Sequence, residues 1–282
     1  MAALSFNALA WGVSWWPFRE LEARGLHALW ATAGIYAAGV AAITLWRPQA
    51  WGQVLRAPGL WALLLASGAT NATFNWGVTI GDVVRVVLLF YLMPLWAVLL
   101  ARWLLHEALT PMALVRLALA LAGAAIVLWP PVGSGAEWPL PRSVAEWLGL
   151  AGGVAFALTN VLLRREAAQS EPARALAMFV GGAVVAGVLA AGLGLQGSVP
   201  WPRAPQAWAL GLAALGLWFL GANLALQYGA ARVPANVTAV VMVSEVLFAA
   251  GSAVLLGASV LTPTLLLGTA LIIGASLLAA RG

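Results

Sequence analysis

Runs of about twenty mostly apolar residues, parted only by short punctuated breaks, fill this chain from end to end. That length is what a helix needs to cross the hydrocarbon core of a bilayer, ~20 residues at ~1.5 Å each. Ten such runs can be read: 3–18, 26–45, 58–80, 83–103, 111–129, 145–163, 173–195, 206–229, 234–256 and 263–280. Breaks fall at Arg47-Pro48, Ala57-Pro58, Pro130-Pro131, Glu171-Pro172, Pro200 to Pro205 and Val233-Pro234. Proline is tolerated in a first helical turn, where its missing N–H has no partner to lose. Composition agrees: of 282 residues, 63% are hydrophobic and 8% charged, against ~25% charged in a soluble domain. The expected fold is therefore all-α and integral to a membrane, with no extramembrane domain. The first run is read as a structural helix: it lacks the basic start of a signal peptide and carries Trp11, Trp15 and Trp16 where a cleavage site needs small residues.

Absences narrow the chemistry. Without cysteine there are no disulfides, zinc–thiolate sites, iron–sulfur clusters or thiol nucleophiles. All fourteen basic residues are arginine, so the lysine of a phosphate-binding loop and any Schiff base are excluded, and with them ATP-driven transport by this chain. Only His27 and His106 are available as imidazoles. No metal, cofactor or nucleic-acid partner is expected, and the chain is not expected to be an enzyme. The net charge of +5 reads as a topology signal. With the N-terminus in the cytoplasm, Arg47, Arg56, Arg102, Arg116, Arg164, Arg165, Arg174, Arg232 and Arg281 fall inside, and Arg19, Arg24, Arg85, Arg142 and Arg203 fall outside. The expected location is the cytoplasmic (inner) membrane, multi-pass, with both termini cytoplasmic. Trp46, Trp51, Trp61, Trp103, Trp129, Trp147 and Trp208 near run ends fit interfacial belts.

The chain also resembles itself. A shift of 152 residues lays Asn71-Ala72-Thr73-Phe74-Asn75-Trp76-Gly77 over Asn223-Leu224-Ala225-Leu226-Gln227-Tyr228-Gly229, and without a gap Leu109-Thr110-Pro111 over Leu261-Thr262-Pro263. A shift of 145 lays Trp11-Gly12-Val13-Ser14 over Phe156-Ala157-Leu158-Thr159. Two halves follow, residues 1–130 and 145–282, joined by an outer linker at 131–144. Five runs per half is an odd number, so the second half enters the membrane from the opposite side. Two inverted five-helix repeats are an architecture of secondary transporters.

These residues carry a family resemblance. Ala10-Trp11-Gly12, Met93-Pro94-Leu95 and the ending Leu105-His106-Glu107-Ala108-Leu109-Thr110 are similar to motifs of the drug/metabolite transporter superfamily, in particular its EamA-type carriers. His106 stands where that ending has glycine; in the second half Ser259 stands where its glutamate would be, and Glu245 lies near the expected proline. Among members the arrangement most resembles YddG-like exporters of aromatic and other amino acids. The resemblance implies alternating access and a central cavity lined by the first, third, fourth, sixth, eighth and ninth spans.

Candidate residues follow from polarity within apolar runs. Glu245 lies near the middle of the ninth run, where a carboxylate costs roughly 2.5–3.5 kcal/mol; it either meets a substrate ammonium or coupling proton, or bonds a neighbouring helix. Asn71 and Asn75 share a helix face, as do Asn223 and Gln227, and amides suit a zwitterion or simply join helices. Asn75 with Trp76 is expected toward the outer gate, Gln227 with Tyr228 toward the inner one. Trp11 and Tyr91 offer aromatic walls; Ser14, Thr159, Asn160 and Ser244 are secondary candidates. Asp82 and Arg85, three apart, read as an interfacial pair or an outer gate charge. Glu107, Thr110, Thr262 and Pro263 read as helix-end determinants, and Gly149 with Gly153 as a close-approach pair.

The expected function is a secondary transporter exporting amino acids, aromatic and other small amphipathic ones, across the lipid bilayer. The alternative within the fold is a drug or organic-cation exporter; a membrane enzyme and a scaffold subunit are the rival classes. The sequence sets no oligomeric state, and a monomer is compatible with it.

Overall fold

A computed structural model describes residues 2–104, 106, 111–129, 140–230, 241, 244–260 and 262–279. Among them the chain forms helices and turns, with no strand. In order they are α1 (Ala2–Gly12), α2 (Trp15–Ala23), α3 (Ala28–Trp46), α4 (Ala50–Arg56), α5 (Pro58–Ile80), α6 (Val83–Phe90), α7 (Met93–Leu104), α8 (Pro111–Leu128), α9 (Val144–Arg165), α10 (Glu171–Leu195), α11 (Pro205–Ala230), α12 (Ser244–Leu255) and α13 (Pro263–Ala279). Five stretches are long and apolar enough to cross a membrane: Ala28–Trp46, Val83–Leu104, Val144–Arg165, Glu171–Leu195 and Pro205–Asn223. Ser244–Leu255 and Pro263–Ala275 are shorter apolar helices.

The helix ends have local causes. Ser143 opens α9: its Oγ accepts the Glu146 N–H at 3.1 Å, and the serine–glutamate spacing is that of a capping box. Asp82 caps α6 by accepting the Arg85 N–H at 2.9 Å. Ser170 caps α10, and Thr262 accepts the Leu265 N–H at 3.2 Å, as expected of a Thr-Pro start. Glu107 and Thr110 lie outside the described residues.

Two runs read as continuous are broken. The first divides at Val13-Ser14 and the fourth at Tyr91-Leu92. Both breaks have the same origin. Pro17 and Pro94 have no N–H for the carbonyls four residues back, at Val13 and Phe90, and proline crowds those carbonyls. The Ser14 hydroxyl donates to the Trp11 carbonyl at 2.7 Å and satisfies part of the loosened turn.

The helices pair as follows. α5 lies on α9 and α10; α10 also lies on α3; α8 on α13; α1 on α11 and α12; α6 and α7 on α9; α3 on α11; α6 on α12. Glycine permits the closest approaches. A Cβ on Gly149 would sit 2.7 Å from the Val86 carbonyl oxygen, and one on Gly153 2.5 Å from that of Phe90. The expected close-approach pair is thus where α9 meets α6. Exposed Trp46, Trp103, Trp129 and Trp147 lie near helix ends, whereas Trp51 and Trp208 are partly buried.

His106 has φ +57°, the left-handed region that glycine enters without strain. The glycine of the family-like ending is replaced at a position whose backbone still asks for it.

Two outcomes test this packing. Gly153→Leu should lower stability by about 1–3 kcal/mol through overpacking, while Gly251→Ala, which meets nothing within 4 Å, should stay within about 0.5 kcal/mol; reversible unfolding in mixed detergent reads both. His106→Gly should raise stability by up to ~1 kcal/mol by relieving the left-handed strain, and a destabilised variant would refute that account.

Candidate functional site

The two helix breaks lie close to one residue, Glu245. Glu245 opens the described part of α12 and is buried, 8% exposed. The Tyr91 hydroxyl, at the break in the fourth run, donates to its Oε2 at 3.0 Å. From the first run Gly12 comes so close that a Cβ would sit 2.8 Å from the Glu245 carbonyl oxygen and 2.7 Å from Phe248 Cβ. Among the described residues no cation is ion-paired with Glu245. A carboxylate in an apolar interior needs a donor or a counter-charge, and Tyr91 supplies the donor.

Aromatic rings from several helices surround this point. Trp11 of α1 lies 4.5 Å from Phe219 of α11 and 6.5 Å from Phe74 of α5. Phe74 lies 4.7 Å from Phe90 of α6, and Phe90 lies 5.3 Å from Phe156 of α9 and 6.0 Å from Tyr91. The rings are tilted or edge-on, the arrangement favoured by aromatic quadrupoles. α1, α5, α6, α9 and α11 thus each give a ring to one aromatic cluster, and α12 gives the carboxylate. Such walls attract a cation electrostatically.

The expected site residues divide. Trp11, Tyr91 and Glu245 come together. Ser244 adjoins Glu245, and its hydroxyl donates to the Val241 carbonyl at 2.6 Å. Asn223, one turn beyond Phe219, is half-buried and donates to that residue's carbonyl at 2.8 Å. Asn71 and Asn75 bond toward α3 instead. Asn71 accepts from the Tyr36 hydroxyl and donates to the Ser67 carbonyl at 2.8 Å; Asn75 donates to Thr32 Oγ1 at 3.0 Å. Trp76 packs edge-on to the His27 ring at 5.5 Å. Asn160 is exposed and bonds its own helix at Phe156. The side chains of Gln227 and Tyr228 lie outside the described residues.

Arg85 does not pair with Asp82. Its Nε lies 2.8 Å from Glu146 Oε1, while Glu146 Oε2 also accepts the Arg142 N–H at 2.7 Å. Asp82 accepts from the Ser259 hydroxyl at 2.7 Å. Arg19 joins the same end of the molecule, its Nε donating to the Thr79 carbonyl at 3.0 Å and its Nη2 to that of Gly81. Burial lowers the Arg19 guanidinium from its ordinary value, and facing Asp82 pushes it back up. The spacing of Asp82 and Arg85 suggested a pair on one helix face, but the cap holds Asp82 at the helix terminus and leaves Arg85 free to reach α9.

Several participants were missed. Asn7, fully buried, donates to the Ala222 carbonyl at 2.8 Å and leaves its Oδ1 without a partner; it sits one turn from Trp11 on the same face. Phe156 was visible as the residue overlaid on Trp11 by the 145-residue shift, and Glu146 as the fourth residue of a capping box. Phe90 and Phe219 gave no polar or repeat signal that singled them out, while Phe74 lay within the overlaid segment and Ser259 stood at the place of the family-like glutamate without either being read as a site residue.

Residues 1–129 match the model of the EamA-like transporter family. Its members are transporters of the drug/metabolite type and not enzymes, so the match supports a multi-pass membrane protein with a small-molecule substrate. No curated protein matches the sequence. A protein of known crystal structure has the same fold, with TM-score 0.56 and 19% identity over 98% of this chain and 94% of that one.

Arg85→Ala should cost about 1–2 kcal/mol, because it leaves a mostly buried Glu146 without its cation while the arginine itself is partly solvated. Glu146→Gln in the Arg85→Ala background should recover part of that loss. Unfolding of the four members of the cycle measures the coupling, and strict additivity would deny the pair.

Proposed function

We propose that the chain is a secondary transporter of ten spans, built as two inverted five-helix repeats, that exports amino acids by alternating access. The observation that carries the proposal is the aromatic cluster, read as the wall of a substrate chamber, around a buried carboxylate with no ion-pair partner among the described residues, assembled from the first, third, fourth, sixth, eighth and ninth runs. An ammonium group meets Glu245, and an aromatic or aliphatic side chain lies against Trp11, Phe74, Phe90 and Phe219. The open Asn7 acceptor and the Asn223 amide add polar contacts on the α1 and α11 side.

The helix pairings support the repeat. Let α1, α3, α5, α6–α7 and α8 exchange with α9, α10, α11, α12 and α13. The pairing of α5 with α9 becomes that of α11 with α1. α10 on α5 becomes α3 on α11, and α6 on α9 becomes α12 on α1. The pairs α3–α10, α8–α13 and α6–α12 map onto themselves. All of these pairings are present. Exchange of two such halves is the geometric basis of alternating access. In this reading residues 1–130 and 145–282 are the repeats and 131–144 an outer linker. The arginine bias puts both termini in the cytoplasm and the Arg85–Glu146 pair at the outer end. The likeness to YddG-type exporters of aromatic amino acids supports the substrate class.

A second reading is favoured by one specific observation. Glu245 has a donor and aromatic neighbours but, among the described residues, no ion-paired cation that could receive a substrate carboxylate. A delocalised organic cation uses the same walls and needs no anion site.

Exchange of labelled L-phenylalanine by the purified chain in liposomes tests the proposal, with tetraphenylphosphonium as competitor. Saturable exchange should fall at least about tenfold in Glu245→Gln, the loss of one charge-assisted contact, and less in Asn223→Ala. Movement of the cation alone would replace the amino-acid reading by the second one; no flux of either under any gradient would remove both.

A further inference from the structure

α6 and α12 form an antiparallel pair fastened at both ends. Tyr91, the C-cap of α6, holds Glu245 at the start of α12. Asp82, the N-cap of α6, holds Ser259 just beyond the α12 end, at 2.7 Å. Between the two bonds the seam is apolar and dry. Val83 and Val87 on one side and Val246, Ala249 and Ala253 on the other are at most 2% exposed and belong to one cluster.

The outer flanks of the pair are anchored to different bodies. α6 is held to α9 by the glycine approaches at Gly149 and Gly153 and by Arg85–Glu146. α12 is held to α1 by the Gly12 approach, and to α2 by Trp15 Nε1 donating to Ser252 Oγ at 2.9 Å. Arg19 of α2 crosses the same division when it bonds the Thr79 and Gly81 carbonyls at the end of α5. Close packing and a buried ion pair resist parting within each body. Along the seam the described residues give two side-chain hydrogen bonds and an apolar surface, besides the Arg19 bonds at the rim. The break at Tyr91-Leu92 frees α6 from α7, so α6 can tilt without moving the whole fourth run.

We propose that the α6–α12 seam is the gate of the chamber at the Arg85 end, with Ser259–Asp82 and Tyr91–Glu245 as its two latches, the second released when a ligand ammonium takes the Glu245 carboxylate. The coupling rests on the transport reading above; the seam itself does not. A carboxylate has acceptor sites for more than one donor, so release follows when an ammonium draws the Glu245 carboxylate toward itself and out of line with the Tyr91 hydroxyl. Occupancy of the chamber therefore removes one of the bonds that closes it. Asp82 and Ser259 become gating residues, which neither touches the ligand.

The natural absence of cysteine makes the test direct. Ala249→Cys places one thiol in the seam, and Ser198→Cys places a control thiol in the exposed turn after α10. Each is reconstituted in liposomes and treated with a membrane-impermeant maleimide from the Arg85 face. The Ala249→Cys thiol should react slowly in the parent. Ser259→Ala and Tyr91→Phe should each speed it about fivefold, the effect of one net hydrogen bond, and the double variant further still, with the Ser198→Cys rate unchanged throughout. L-Phenylalanine or tetraphenylphosphonium should speed the parent, and Glu245→Gln should abolish that response. Unaltered Ala249→Cys labelling in both latch variants, with a normal control rate, overturns the gate. Faster labelling in the latch variants with no response to either ligand upholds the seam and overturns its coupling to Glu245, which places the failure in the substrate reading. The Ser259→Ala variant leaves the Asp82 cap in place and so keeps the test independent of α6 folding.

Discussion

Lipid offers no partner for a loosened peptide group, so an irregular backbone at membrane depth survives only where protein surrounds it. That constraint organises this molecule. Pro17 and Pro94 each break a run, and both breaks are buried: Ser14 is 1% exposed and Tyr91 3%. The breaks meet around Glu245, one through the approach of Gly12 and the other through the Tyr91 hydroxyl. Two interrupted helices and a buried carboxylate are thus concentrated in one place, and the Tyr91 hydroxyl gives the carboxylate its donor. Discontinuous helices beside a polar site are where transporters bind their cargo.

Polar groups elsewhere are spent on structure. The amides on α5 bond to Tyr36 and Thr32 of α3, and so tie α5 to α3, while Asn71 also turns back to the Ser67 carbonyl of its own helix. Hydroxyls at Thr70, Thr73, Thr79 and Thr159 turn back to their own helix carbonyls. Interhelical hydrogen bonds of this kind are worth little singly, ~0.6 kcal/mol on average, but they set rotation about the helix axis. Rotation decides which residues of α5 face the chamber, and it puts Phe74 there and Asn75 away from it. The amides therefore position the site without entering it.

Much of the plan was legible in the sequence, and the boundary of legibility has a physical cause. The helical class, the glycine approach of α9, the Thr262-Pro263 start and the polar oddity of Glu245 follow from length, size and polarity, which one residue or one run expresses by itself. Ring walls do not. Phe74, Phe90 and Phe219 look like any apolar residue of a membrane helix until the helices are rotated into place. Arg85 shows the same limit: proximity in sequence suggested Asp82, while the capping requirement took Asp82 away and the fold delivered Glu146 from sixty-one positions on. The helix breaks were open to reading, since Pro17 and Pro94 stand in full view, but a proline inside an apolar run states only that a hydrogen bond is missing and not what the freed backbone turns toward.

The distribution of strength across the interfaces gives the structure a direction of movement. Where α9 meets α6, backbones approach so closely that no side chain fits between them, and contacts of that kind hold only in register. Where α6 meets α12, valines and alanines of one apolar cluster lie between two hydrogen bonds among the described residues. A body that must move as a unit needs the first kind of interface inside it, and a surface that must open and close needs the second. The polar bonds of the seam lie at its ends, one at the chamber and one at the rim, so that strain applied at the chamber is felt at the rim through α6, a helix of only two turns. Those two turns form a strut short enough to be rigid, bounded by an aspartate cap that fixes one end and a proline-induced break that frees the other.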